Sequence, residues 1–516
     1  MSGAIGGEAM TEIIADITPF QSRVVIRRDC RLKEYFVSRK GAEPIVGNIY
    51  KGKVENVIRG MQAAFVDIGL GRNAFLYAGD ILPDKRDFEF AGQSEQISDS
   101  LKKASIKELV RQGQEIIVQV LKEAAGTKGA RVTTNISLPG KNLVLMPTVS
   151  YVGVSRRISD EIERSRLKEL VDGMRKPEHG YIVRTAAAYQ EAEKFKAEMD
   201  YLERKWENIR TRARQQKAPS NLHREGSLIM TTLRDYFSAE VDRFIINDRA
   251  SYEQAVDTVR FSSPELADRI EYFDKSSDIF SYYNLNAKLD RLLERKVWLD
   301  SGAYLVIDQT EALTVIDVNT GKFTGDSRLA DTILETNLEA AREIAKQIRL
   351  RSIGGIIIID FIDMDSDEHR SMVKSALEEA VREDKVKTNI VGFTGLGLME
   401  LTRKKVRNNL KSIMQTACPY CAGSGAVLNN ISVVHNLRGE LGRLFENTNA
   451  NCVLLTVHPD IENELLGGEF PAESFLYGDR QIYILSDPSR HIEDIGMQAV
   501  SREEISEKYK EAVRFC

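Results

Sequence analysis

ALTVIDVNTG at 312–321 and GGIIIIDFIDM at 354–364 are two apolar, largely β-branched runs, and each carries an aspartate near its end, Asp317 and Asp360. Between them DTILETNLEAAREIAKQIRLRS, 331–352, repeats its apolar residues with the helical period. Strand, long amphipathic helix, strand is the signature of a crossover that lays two strands side by side in one sheet. The isoleucine run reads as a buried strand at the sheet centre. AYLVIDQT, 303–310, is placed to form a hairpin with 312–318, and a second helix is expected over 366–383. Asn319, two residues beyond Asp317, shares its face of an extended strand.

Two carboxylates and an amide on one surface form a candidate metal centre. Hydrolysis of a phosphodiester needs charge neutralised and water activated, and hard cations such as Mg²⁺ bind carboxylate oxygens. The same aspartates would equally serve to cap loops or pair with local arginines. Asp308 and Asp363 lie close in sequence and read as structural.

Working toward the N-terminus, GNIYKGKVENVIRGMQAAFVDIGLGRNAFLY, 47–77, has short alternating segments broken by Gly and Asn. With VRQGQEIIVQVLKEAAGTKGARVTT, 110–134, it suits a small oligonucleotide-binding type of barrel, interrupted by a polar insertion at 83–107. SRVVIRR, 22–28, and EYFVSRK, 34–40, read as half-buried antiparallel strands. Residues 132–229 are mixed and include a long charged helix with Phe195, Met199, Leu202, Trp206 and Ile209 on one stripe, expected to pack inward. Beyond ACPYCAGSGAV, 417–427, helix and strand alternate as a small terminal domain.

At 516 residues the chain exceeds one core, so several modules are expected. The net charge of −5 requires any nucleic acid to be met by local basic surfaces. No apolar run spans a bilayer and the first 17 residues lack a secretory pattern, which points to the cytoplasm. The first nine residues carry no reading, and Met10 is an alternative start. Five scattered cysteines argue against a disulfide framework. Cys418 and Cys421 alone are close, at a spacing that lets two thiolates reach one Zn²⁺, although four ligands are the rule. A redox pair is the bland alternative.

VIDVNTG, the segment TNLEAAREIAKQIRLRSIGGIIIIDFIDM at 336–364 and CPYCAGSG at 418–425 together closely resemble the ribonuclease E/G family. AAFVDIG, GTKGARVTTNISLPGKNLVLMP, SRRI and VRT follow the family's order, and the length fits its catalytic half. The resemblance implies a multidomain α/β plus β architecture. An RNase H-like region in two parts, 1–43 and 230–293, would flank an S1-type OB barrel at 44–131 and a 5′-sensor region at 132–229. A DNase I-like catalytic domain at 294–414, a zinc link at 415–429 and a small C-terminal domain at 430–516 would follow.

It implies a Mg²⁺-dependent endoribonuclease of single-stranded RNA, serving rRNA processing and mRNA decay and leaving 5′-phosphate and 3′-hydroxyl ends. Asp317 and Asp360 would bind Mg²⁺ with Asn319 assisting by hydrogen bonding. Phe65, Phe75 and Lys128 match RNA-channel residues, although strand phenylalanines are commonly core fillers. Gly140, Val144, Arg184, Thr185 and Lys387 match a 5′-monophosphate pocket. There the family usually has Gly after VRTA, where this chain has Ala187, a change that bears on the pocket's backbone. Cys418 and Cys421 would share one Zn²⁺ with a second protomer, giving a homo-oligomer, a dimer or a tetramer built from dimers. Two other classes remain at this stage: a non-catalytic RNA-binding or ribosome-assembly protein, which the intact Asp317, Asn319 and Asp360 set disfavours, and a processive exonuclease, which only the resemblance disfavours.

Overall fold

The computed structural model describes residues 10–41, 43–81, 105–124, 128–321, 329–467, 475 and 477–515. The N-terminal nine residues, most of the 83–107 insertion and part of the GTKGA turn lie outside them. The chain divides into two compact units, 1–413 and 414–516.

In the first unit, a five-stranded sheet joins distant parts of the sequence. Thr11–Ile17 pairs antiparallel with Gln21–Arg28, which pairs with Arg31–Arg39, while its other edge runs parallel to Arg243–Ile246 and then Ile270–Tyr272. Helices Leu228–Tyr236 and Arg249–Ser262 pack Ile229, Leu233, Ala255 and Val259 against it. Everything between 40 and 227 is therefore inserted into this layer. The insertion opens with a closed five-stranded barrel: Ile49–Ile58, Ala63–Asp67, Ala74–Tyr77, Arg131–Thr133 and Glu115–Lys122, the last returning to pair with the first. Val54, Val66, Leu76, Val118 and Val132 fill it. Ser220–His223 adds to the outside of Ile49–Ile58. The tail of the expected polar insertion is a helical turn, Ile106–Leu109, whose Ile106 is wholly buried in the barrel core.

A small four-stranded sheet, with strands Leu138–Pro139, Leu143–Met146, Gly180–Val183 and Val152–Val154, follows the barrel. The long helix Ala192–Gln215 covers it with the stripe Phe195, Met199, Leu202, Trp206 and Ile209, all buried as the spacing predicts.

The sheet of the acidic pair has six strands in the order Lys296–Trp298, Tyr304–Gln309, Leu313–Asn319, Gly355–Asp360, Met399–Arg403 and Thr388–Phe393. Tyr304–Gln309 and Leu313–Asn319 form the expected hairpin, and Leu313–Asn319 runs parallel to Gly355–Asp360. The crossover helix Leu329–Leu350 and the second helix Asp367–Val381 bury Ala341, Ile344, Ile348, Val373 and Leu377 against Ile316, Val318, Ile357 and Ile359. The strand expected to be buried throughout is covered on this face alone: Ile356 is 50% exposed. The isoleucine run hid the alternation, because both faces carry the same residue type.

The second unit has a four-stranded sheet in which Cys452–Val457 lies between Gln481–Ser486, which it parallels, and Gly496–Ala499. Helices Asn430–Asn447 and Pro459–Gly467 supply Leu437, Leu441 and Ile461 to its core. No helix among the described residues is long and apolar enough to cross a membrane.

One close approach closes the barrel. A Cβ on Gly129 would stand 2.0 Å from the Asn73 carbonyl oxygen, whereas one on Gly60 meets nothing within 4 Å. Gly129→Ala is expected to lower stability by about 1–3 kcal/mol, and Gly60→Ala to change it by less than about 1 kcal/mol; denaturant unfolding of both variants checks the contrast.

Candidate active site

Register decides what meets at the open face of the six-stranded sheet. Asp317 pairs directly with Asp360 across the two parallel strands, and both are exposed. Paired positions in adjacent strands put their side chains on one face, so the two carboxylates stand side by side. Asn319 donates from Nδ2 to Asp317 Oδ2 at 2.8 Å and so fixes the rotation of that carboxylate. Partial desolvation, followed by the charges of Asp317 and Asp363, raises the pKa of Asp360 above the usual carboxylate range. Negative charge is thus concentrated where, among the described residues, no cationic side chain pairs with Asp317 or Asp360. Asp308 is spoken for: Arg295 meets its two oxygens at 2.6 and 2.7 Å. Asp363 is exposed in the loop after Asp360.

That loop is held from below by a residue the sequence reading passed over. Asn337, fully buried on the crossover helix, donates from Nδ2 to the Ile362 carbonyl (2.8 Å) and accepts from the Ile362 amide (3.1 Å). An asparagine among apolar residues in TNLEAA was the available signal. A buried amide that satisfies both the N–H and the C=O of one residue has a geometric task.

On the barrel, Phe65 and Phe75 are register partners, with ring centroids 5.9 Å apart and nearly edge-on. Their strand neighbours Val66, Ala64, Leu76 and Ala74 point into the core, and the two rings stay half-buried on the outer surface. They are therefore not core fillers. Lys128 is exposed and lies three residues before Arg131, the register partner of Phe75.

The segment matched to a phosphate pocket gathers around the end of strand Gly180–Val183. The Arg184 amide donates to the Asn142 carbonyl at 2.8 Å, and its guanidinium donates to the Gly140 carbonyl at 2.6 Å and to Asp235 at 2.7 Å. Gly140 lies against Glu198, where a Cβ would come within 2.1 Å of Oε1. Glu198 accepts from the Asn142 amide at 3.0 Å, and burial raises its pKa. Val144 lies on the adjoining strand and is half-buried. Thr185 is exposed, its hydroxyl 3.1 Å from that of Ser155. Ala187 is fully buried in a 3₁₀ turn and is not among the residues with positive φ, so the position makes no demand for glycine.

Two further cations reach this cluster. Lys385 donates to the Asp235 carbonyl, and Arg157 donates to the Asp384 carbonyl at 2.7 Å. Burial, with Arg184 and Arg157 contributing, lowers the pKa of Lys385 against the opposing pull of Asp235 and Glu34. Lys387, the lysine singled out from sequence, is exposed two residues further on. SRRI and the alternating lysines of DKVKT contained this information without indicating which cation reaches the Asp235 and Asp384 carbonyls.

In the second unit, Cys418 is exposed and Cys421 half-buried, both as free thiols. The backbone amides of Gly425 and Gly423 turn toward Cys421 and lower its pKa, with Cys418 and Ser424 adding to the effect. Ala422, Gly423 and Gly425 all have positive φ, which the CAGSG composition makes accessible. Tyr420 stacks on His491 at 4.2 Å and ties the turn to the 489–495 loop.

Residues 137–406 match the sequence profile of the Ribonuclease E/G family. Ribonuclease G of Escherichia coli (strain K12) is 41% identical over 479 residues, 92% of this chain and 97% of that protein. Ribonuclease G of Salmonella typhimurium (strain SL1344) gives the same identity and coverage. The chain belongs to the ribonuclease E/G family. Ribonuclease E of Nostoc sp. (strain PCC 7120) is 39% identical over 386 residues, 74% of this chain and 54% of that longer protein. The family match thus spans the small four-stranded sheet and the acidic-pair sheet, and the ribonuclease G alignments extend over nearly the whole chain.

Asn337→Ala is expected to lower stability by about 1–3 kcal/mol, the usual cost of leaving buried polar partners unpaired. Asn319→Ala, at the open face, should change it by no more than about 0.5 kcal/mol; thermal unfolding of the two variants separates them.

Proposed function

We propose that the chain is an endoribonuclease that hydrolyses single-stranded RNA at the Asp317–Asp360 pair. The observation that carries the proposal is the direct register pairing of these two carboxylates at an open sheet face, in a chain of the ribonuclease E/G family. Asp317 and Asp360 would hold Mg²⁺. The donor set suits that ion: two carboxylates and an amide stand on one open face, and Mg²⁺ is commonly held by one or two carboxylates with water and substrate phosphate completing its shell. When bound, the ion supplies Lewis acidity and a lowered water pKa at the scissile phosphate. The chain's own contribution is positional. Asn319 engages one Asp317 oxygen, and Asn337 holds the loop that follows Asp360. The resemblance to the family implies that hydrolysis would leave a 5′-phosphate and a 3′-hydroxyl.

Phe65 and Phe75 offer half-buried rings on the barrel's outer surface for unstacked bases, and Lys128, exposed three residues before the register partner of Phe75, would meet the backbone. Arg184 and Thr185, with Gly140, Val144 and Lys387, form the proposed 5′-monophosphate site, to which the geometry adds Arg157 and Lys385. Here Asp235 already occupies one Arg184 donor, so an incoming phosphate would share or replace an internal anion. Cleavage of 5′-hydroxyl and 5′-monophosphate substrates at equal rates would remove this part of the reading. The five-stranded insertion-bearing sheet and the six-stranded sheet are assigned to the RNase H-like and DNase I-like folds of the family. The proposed setting is cytoplasmic rRNA processing and mRNA decay, as in a ribonuclease G or a short ribonuclease E.

The Cys418–Cys421 turn fits half of a zinc site: two thiols, one with its thiolate favoured by two amides, where Zn²⁺ takes four ligands. A second copy would supply the other two, giving a zinc-joined dimer that can assemble further. Cys418→Ser is expected to lower bound zinc from one ion per two chains toward none and to shift the light-scattering mass toward the monomer. Full dimerisation without zinc would refute the link.

Asp317→Asn and Asp360→Asn are each expected to cut Mg²⁺-dependent cleavage of 5′-labelled single-stranded RNA by roughly 10²–10³, the rate equivalent of several kcal/mol of transition-state stabilisation. Normal turnover in either variant would sink the assignment. Circular RNA should still be cut by the unmodified protein, and its survival would point instead to an exonuclease.

A further inference from the structure

The open face of the six-stranded sheet does not end at the acidic pair. Its register continues outward in two rows. One row runs Asp360, Asp317, Val306, Lys296, and the next runs Asn319, Tyr304, Trp298. All of these positions share one face, because direct partners across a sheet project on the same side. The row positions are about 4.7–4.9 Å apart per strand, so Tyr304 is one strand from Asn319 and Trp298 is two.

At this edge the side chains form a compact group. The Trp298 and Tyr304 rings lie edge to face with centroids 5.3 Å apart, and the Lys296 ammonium sits 4.0 Å from the Trp298 centroid and 3.5 Å from the Tyr304 centroid. Trp298 is nonetheless 59% exposed. A tryptophan placed only to stabilise an edge strand would be expected to bury its ring, whereas this one keeps most of its surface in water on the face that carries the two aspartates, two strands from Asn319. A large exposed aromatic next to a half-buried cation matches what single-stranded nucleic acid presents, a π-face and a phosphate on each nucleotide.

We propose that Trp298 is a stacking platform for the base of a nucleotide adjoining the scissile phosphate, that Tyr304 braces it, and that Lys296 pairs with that nucleotide's phosphate. The inference rests on the reading of Asp317 and Asp360 as the cleavage site. It adds a positioning contact on the catalytic sheet itself, separate from the barrel phenylalanines. Stacking is tolerant of base identity, so the platform sets where the strand lies relative to the acidic pair and favours larger ring systems without reading a sequence.

The test uses the full chain and a single-stranded RNA oligonucleotide. Trp298→Ala is expected to raise KM about tenfold, roughly 1.4 kcal/mol, with kcat nearly held, and Trp298→Phe to recover most of the loss. The chain has two tryptophans, and Trp206 is buried under the long helix, so RNA-dependent fluorescence reports mainly Trp298. In Asp317→Asn, which is expected to bind without cutting, saturating RNA should quench emission, and adding Trp298→Phe should abolish the quench while anisotropy still shows binding. Unchanged KM in Trp298→Ala, or saturated binding without quenching, would overturn the platform. A change in oligomeric mass on Trp298→Ala with KM unaffected would instead place the ring in a contact between copies and likewise overturn it. Failure of the unmodified protein to cut RNA at all would strike the proposed function first, whereas normal cutting with an indifferent Trp298 would strike this inference alone.

Discussion

The parallel pairing of Leu313–Asn319 with Gly355–Asp360 is the constraint on which the rest of the first unit's chemistry depends. Two buried rows, Ile316 and Val318 on one strand and Ile357 and Ile359 on the other, face the crossover helix. Because side chains alternate, fixing those rows inward fixes Asp317, Asn319 and Asp360 outward. The hydrophobic effect therefore sets the position of the carboxylates, although it does not act on them directly. The hairpin with Tyr304–Gln309 extends the same register to Tyr304 and Trp298, so the acidic and aromatic groups are fixed to one backbone lattice.

Much of this frame was legible in the residues. The strand, helix, strand order around Asp317 and Asp360, the hairpin partner at 303–310 and the inward stripe of the long helix follow from periodicity. The half-open state of the Gly355–Asp360 strand did not, since four isoleucines in a row erase the contrast between faces. The closed barrel was readable as a class from its short alternating segments. Its closure through Glu115–Lys122 and the fit of Gly129 against Asn73 depend on contacts between distant segments that no local pattern encodes.

The site shows the same division. The acidic pair and Asn319 share strands with strong periodicity, so their common face could be derived. The cation cluster at Arg184 could not. Asp235 and Lys385 come from segments roughly 50 and 200 positions away, and whether a surface lysine turns inward depends on which anion the tertiary fold brings to it. Asn337 was also overlooked, because a helical asparagine is ordinarily solvent-facing and only the position of the Ile362 peptide explains its burial.

The alternation that places the acidic pair also polices it. If Gly355–Asp360 paired one residue out of step, Ile357 and Ile359 would turn to water while Asp360 turned into a greasy layer against the helix. Ile356 and Ile358 would refill that layer, so the penalty for the slip falls on Asp360, whose carboxylate would be buried without a partner. The aspartate thus helps to hold its own strand in register: a slipped chain would carry a buried, unpaired charge, and the register that avoids it is the one that sets Asp360 beside Asp317.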